Sequence, residues 1–143
     1  MRARALRALA RRELSRIELK AKLMPHLAET DDIDLLLDDL QKRGWLSDAR
    51  AVEQIVRIRS ERFGTQRIAH ELRQKGISEE LVSAAMPQMK AAELESARAV
   101  WEKKFATPPQ DHKEKAKQVR FLQSRGFSMD VIFKLMKISD VEN

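Results

Sequence analysis

The chain has 143 residues, 43% of them hydrophobic and 35% charged, enough for one compact domain or a row of small modules and too few for two large domains. There is no cysteine, which excludes a disulfide scaffold, a thiolate zinc site and a cysteine nucleophile, and no apolar run approaches the roughly 18 to 20 residues of a membrane span. Lysine and arginine number 28 against 22 acids, a net charge of +6, which points to nucleic acid or an acidic protein surface as partner.

β-Branched and aromatic residues are few, Thr occurs three times, and apolar residues recur at three and four positions, so the spacing predicts an all-α chain. The first segment, Met1 to Arg12, is Arg-rich and free of acid until Glu13. An organelle transit peptide shares that pattern, but scarce Ser and the lack of a cleavage-like break before Ser15 favour a basic helix. Caps and breakers then divide the chain into about nine helices, at 2–12, 15–24, 30–43, 47–63, 65–75, 78–86, 89–105, 111–125 and 128–137. The expected N-caps are Ser15, Thr30, Ser47, Thr65, Ser78 and Ser128, and Ser15 has the Ser-x-x-Glu capping-box spacing with Glu18. Gly44, Gly64, Gly76 and Gly126 each follow a basic turn and read as left-handed C-terminal residues. Pro25, Pro87 and Pro108-Pro109 read as punctuation, since proline is poorly tolerated inside a helix.

An internal repeat is visible in Leu40-Gln-Lys-Arg-Gly44-Trp-Leu-Ser47, Leu72-Arg-Gln-Lys-Gly76-Ile-Ser78 and Leu122-Gln-Ser-Arg-Gly126-Phe-Ser128. The pattern implies three tandem three-helix repeats stacked into an elongated body, divided as 1–44, 45–88 and 89–143. Trp45, Ile77 and Phe127 follow the repeat glycines and are expected to pack back on the preceding helix. Trp101 belongs with Leu94, Ala97 and Phe105 in a core stripe.

Three basic groups stand out: Arg4, Arg7 and Arg11 on one stripe; Arg50 and Arg57 with Arg67 and Arg73 on the next helix; and Lys113, Lys117 and Arg120. Cations without a neutralising neighbour suit phosphates or an acidic groove, although for any single stripe taken alone a solvated helix face is the simpler reading. Residues 1–24 carry eight bases and two acids, whereas 25–44 carry two bases and six acids, so the acidic helix around Asp34, Asp38 and Asp39 either faces its basic neighbour or repels DNA and orients the molecule. Arg59 shares a helical face with Val52, Val56 and Phe63, and a structural pairing with a carboxylate such as Glu71 accounts for it.

No catalytic residue, metal site or cofactor is expected. His26, His70 and His112 lack ligand-like spacing, and no serine sits in a nucleophile elbow. The stretch Ile68 to Met86 resembles a DNA-reading helix-turn-helix, but seven residues separate Ala69 from Gly76, which overshoots the compact motif by nearly a turn.

Several blocks occur in the order of a known family: Ala5-Leu-Arg-Ala-Leu-Ala-Arg-Arg-Glu-Leu-Ser-Arg-Ile-Glu-Leu19, Gly44-Trp-Leu-Ser-Asp48, Arg62-Phe-Gly-Thr-Gln-Arg-Ile-Ala-His-Glu-Leu-Arg-Gln-Lys-Gly-Ile77, Lys103-Lys-Phe105 and Arg120-Phe-Leu-Gln-Ser-Arg-Gly-Phe-Ser128. Over nearly its whole length the chain resembles the RecX family of bacterial regulatory proteins. The start is abrupt, whereas such proteins often carry a short leader before the Ala-Leu-x-x-Leu block. The resemblance implies a cytoplasmic, non-enzymatic protein of three tandem three-helix repeats, elongated and curved, with a basic surface. It implies binding to RecA and its DNA filament, with suppression of ATP hydrolysis, strand exchange and co-protease activity. The basic residues above would then line the filament-binding surface, with single- or double-stranded DNA contacted without sequence preference by a monomer. The competing expectation is a protein that binds DNA directly and acts by occupying it.

Overall fold

The computed structural model describes the backbone of residues 1–142 and the side chains of residues 1–137; the last side chains of the expected third repeat lie outside the described residues. Eight α-helices follow one another, with no strand among the described residues: α1 Arg2–Arg11, α2 Arg16–Leu23, α3 Ile33–Lys42, α4 Asp48–Arg59, α5 Thr65–Gln74, α6 Glu79–Lys104, α7 His112–Ser124 and α8 Met129–Glu142. A short 3-10 turn, Met24–His26, extends α2 where Pro25 removes a backbone donor.

The helix starts follow local chemistry. Ser15 forms the full capping box with Glu18, Ser47 and Ser78 accept from the backbone three residues on, and the Ser128 hydroxyl accepts from the Val131 N–H. Two expected caps are corrected. Asp32 rather than Thr30 caps α3, its carboxylate accepting from the Leu35 N–H. Thr65 is already the first residue of α5, buried, with no partner for its hydroxyl, and Gly64 holds the cap position.

The Leu-x-x-basic-Gly pattern is a helix-ending device. The backbone N–H of Trp45, Ile77 and Phe127 donates to the carbonyl of Leu40, Leu72 and Leu122 respectively, while Gly44, Gly76 and Gly126 take positive φ. Ile77 and Phe127 are buried as expected, but Trp45 is half-exposed and its successor Leu46 fills the core instead. Trp45 lies between the guanidinium groups of Arg2 and Arg43, both of which pair with Asp39. The three copies are also not equivalent in position. Gly44 closes the third helix of the chain, whereas Gly76 and Gly126 each close a helix that leads into its successor within a packed unit. Gly64 is no left-handed residue at all, with φ of -85°.

The expected break at Pro87 does not occur. α6 runs unbroken through it for 26 residues, about 39 Å. Proline loses one backbone hydrogen bond, but Pro87 is exposed and packing on both sides holds the helix. Val82 and Met89 of its first half belong to one apolar cluster; Ala97, Val100 and Trp101 of its second half belong to another. A third cluster, with Ala5, Leu14, Leu19, Leu37 and Leu40, lies between α1, α2 and α3. Each fully buried Leu in these clusters contributes about 1.5–3 kcal/mol. Trp101 sits with Ala97, Leu94 and Phe105 as expected, its ring N–H donating to buried Gln118 at 2.8 Å. Three small cores in series give an extended body: the accessible surface is 9270 Å², against about 7,500 Å² for a compact monomer of this mass.

The units meet through helix ends. At the first joint the Ser15 hydroxyl donates to the Lys75 carbonyl at 2.7 Å, and Ile17 packs against Gly76, so the end of α5 abuts the start of α2. Burial raises the pKa of Glu18, but the Ser15 N–H and the charges of Lys75 and Arg12 outweigh it and hold the carboxyl below its usual range. At the second joint the end of α7 abuts the start of α5: Gly64 N–H donates to the Arg125 carbonyl at 2.7 Å and Gln66 N–H to the Gly126 carbonyl at 3.3 Å. Unbonded carbonyls at the end of one helix thereby meet unbonded N–H groups at the start of another.

Candidate functional site

The ten basic residues singled out in the sequence divide by what they touch. Arg7, Arg11, Arg57, Lys113, Lys117 and Arg120 are exposed and form no ion pair among the described residues. Arg4 is also exposed and lies 3.4 Å from His26 Nε2.

The expectation that none of these cations is neutralised is corrected for two of them. Arg50 Nε donates to Glu13 at 2.9 Å and its Nη2 to the Gly44 carbonyl at 2.6 Å, tying α4 to the α1–α2 turn. Arg73 grips Glu79 through Nε at 2.5 Å; that hydrogen bond raises the arginine's pKa and lowers the glutamate's. Arg59 pairs with Glu71 at 3.1 Å, as its place on the helix implied. The acidic helix α3 faces its basic neighbours, since Asp34 and Asp38 pair with Arg16, Asp34 also pairs with Lys20, and Asp39 pairs with Arg2.

Arg67 has a different setting, at the joint between α5 and α7. Its Nη1 donates to the Ser124 carbonyl at 3.0 Å while its guanidinium stacks 4.2 Å from the Phe63 ring centre. Arg59 and Arg125 approach the same ring at 5.7 and 5.4 Å. Arg125 also lies 5.1 Å from the ring centre of Phe121, where Lys104 joins it at 5.5 Å. Ring contacts of this kind attract cations through the quadrupole and leave the charge intact.

Beside this joint opens a cleft of about 370 Å³ lined by Glu61, Arg62, Val100, Lys103, Lys104, Phe121 and Arg125. Arg62, Lys103 and Lys104 escape the reading of helical stripes because they come from the ends of α4 and α6 and meet only in the fold. Their signal in the sequence was the juxtaposition of bases with phenylalanine in Arg62-Phe63 and Lys103-Lys104-Phe105. A second cleft, of about 570 Å³, runs between α4 and α6, with Val52, Val56, Leu81 and Met89 on its walls and Glu53 and Arg57 among its polar residues.

Among the described residues no group of His, Asp and Glu could hold a metal ion. No helix of the described residues is long and apolar enough to cross a membrane. The arrangement offers phosphates or carboxylates a set of fixed cations, and among the described residues it brings together no nucleophile, base and oxyanion donor.

Comparison with known proteins adds the family. A model described as "RecX, second three-helix domain" matches residues 47–86, and one described as "RecX, third three-helix domain" matches residues 91–136. The regulatory protein RecX of Leptothrix cholodnii is 46% identical over the full chain and 91% of the relative's length. That of Ralstonia nicotianae is 42% identical over 98% of this chain and 88% of its own. The crystal structure of RecX from Lactobacillus salivarius superimposes with a TM-score of 0.81 over 98% of this chain and 94% of that one at 22% identity, a likeness of fold.

Proposed function

Since this chain belongs to the RecX family of regulatory proteins, a family without enzymatic activity, we propose that it binds RecA and the RecA–DNA filament in the cytoplasm and inhibits the recombinase, ATPase and co-protease activities. The observation that carries the reading is the 46% identity maintained from the first residue to the last. The fold supports it physically. Three small cores in series present a long surface to a long partner, and eight of the ten cations first singled out, all but Arg50 and Arg73, are exposed without an ion pair among the described residues. The repeats divide near residues 44 and 88, and a monomer is the acting species.

RecA ATP hydrolysis on single-stranded DNA tests this. Inhibition at amounts well below stoichiometry to RecA, where free DNA remains abundant, is the expected outcome; an unchanged rate at equimolar protein removes the reading. The exposed cations of α7 favour one further reading, direct occupation of DNA. In that case inhibition tracks the fraction of DNA covered, and falls steeply with salt in proportion to the phosphates contacted.

A further inference from the structure

The cleft beside Phe121 gathers like charges that nothing among the described residues neutralises by an ion pair. Arg62 comes from the turn after α4, Lys103 and Lys104 from the last turn of α6, and Arg125 from the end of α7; Glu61 is the one acid on its wall. Cations at the ends of α6 and α7 complement those helix dipoles, which accounts for one charge at each end but not for four converging on one cleft. Assembling them opposes folding unless an anion is the intended occupant. Phe121 holds two of the four in place, with Arg125 and Lys104 at 5.1 and 5.5 Å from its centre, and its edge-to-face contact with Phe105 fixes the ring.

The cleft continues outward along α7. Lys113, Lys117, Phe121 and Arg125 are spaced four residues apart, so they fall on one face with a step of about 6 Å. That is a step a sugar-phosphate chain can follow from one phosphate to the next. With cations against the Phe121 ring, stacking on a base is not what this surface offers, and recognition is of phosphate without regard to sequence.

We infer that Arg62, Lys103, Lys104 and Arg125 form a phosphate-binding cleft that anchors a single nucleic-acid strand, whose backbone then runs along Lys117 and Lys113. The choice of nucleic acid over other polyanions rests on the filament reading above.

The test is binding of a fluorescein-labelled oligothymidylate, measured by anisotropy across a salt series, with RecA ATPase inhibition followed in parallel. The triple variant Arg62→Gln/Lys103→Gln/Lys104→Gln is compared with Lys22→Gln/Lys42→Gln/Lys90→Gln, which loses equal charge at exposed positions away from the cleft. The cleft variant is expected to bind more than about tenfold more weakly at low salt, and its slope of log K against log salt falls by about 2, three contacts at roughly 0.7 each for a single strand. Its melting temperature holds or rises, because repulsion is relieved. If the triple variant does not fold, Arg62→Gln/Lys103→Gln keeps both ring contacts and loses about 1.4 of slope. Equal weakening of cleft and control variants overturns the inference, as does displacement of the oligonucleotide by inorganic phosphate at matched ionic strength, which marks a site for the free ion. Loss of oligonucleotide binding with no effect of the wild-type protein on RecA sinks the filament reading and leaves the cleft standing. Inhibition of RecA with cleft-independent oligonucleotide binding does the reverse.

Discussion

A methyl group placed on residue 64 would lie 2.5 Å from the Gly126 carbonyl oxygen and 2.6 Å from the Phe127 nitrogen, both backbone atoms that cannot swing aside. Gly44 is the converse case, with positive φ but open space around its Cα. The two glycines therefore answer differently to the same change. Gly64→Ala is expected to lower stability by about 3 kcal/mol, at the top of the range for overpacking, and Gly44→Ala by about 1 kcal/mol for a left-handed alanine. Thermal melts of the pair settle the order, and a larger loss at Gly44 would contradict the account of the α5–α7 joint. Glu18 gives a pH dependence. Its folded-state pKa lies below the unfolded value of about 4.3, so the stability it adds is fully present above that pH and disappears as pH falls through the folded pKa. In urea titrations at pH 7 and pH 3, Glu18→Gln should be weaker than wild type at pH 7, and the gap should narrow at pH 3. Ser15, Glu18 and the Arg59–Glu71 pair were legible in the sequence because their partners lie within one helical turn or on a face with an evident conflict. Arg50 and Arg73 were misread because the relevant acids, Glu13 and Glu79, sit on other elements.

Among the elements, α6 departs most from the local rules. Breaker chemistry at Pro87 implies two helices, yet apolar residues on either side belong to two different cores and a single helix serves both. Local propensity of about 3 kcal/mol against proline is outweighed by burial that only the folded neighbours supply. Replacing this exposed proline restores the missing N–H, so Pro87→Ala should raise stability by about 1 to 3 kcal/mol; a lower denaturation midpoint would mean that the proline bends α6 to fit both cores. The remaining helices were readable within a few residues because caps and glycines act locally. The site was not, since Arg62, Lys103 and Arg125 lie on three elements and no periodicity links them.

For the whole molecule, surface charge and stability are separable. Lys113, Lys117 and Arg120 are exposed on α7 with no ion pair among the described residues, so reversing all three to Glu should leave the melting temperature within a few degrees. The same variant should weaken inhibition of RecA by more than about tenfold through lost phosphate or carboxylate contacts. Unchanged inhibition would remove this face of α7 from the interface. The joints between units are narrower than the cores they connect, and they differ in kind. α6 passes through the second joint as a continuous rod, while the first relies on Glu13–Arg50, Lys75–Glu18 and the backbone N–H groups of Glu13 and Arg16 donating to the Gln54 and Asp48 side chains. The end-to-end docking of α7 on α5 and of α5 on α2 is a head-to-tail contact, the kind that generates open-ended polymers when both ends stay available. Here both ends are blunted. α2 finishes in a 3-10 turn at Pro25 rather than a left-handed glycine, and α7 starts behind Pro108-Pro109 with its own Asp111 carboxylate on the Glu114 N–H. The two outer ends therefore do not repeat the left-handed glycine and the uncapped helix start that meet at the α5–α7 joint.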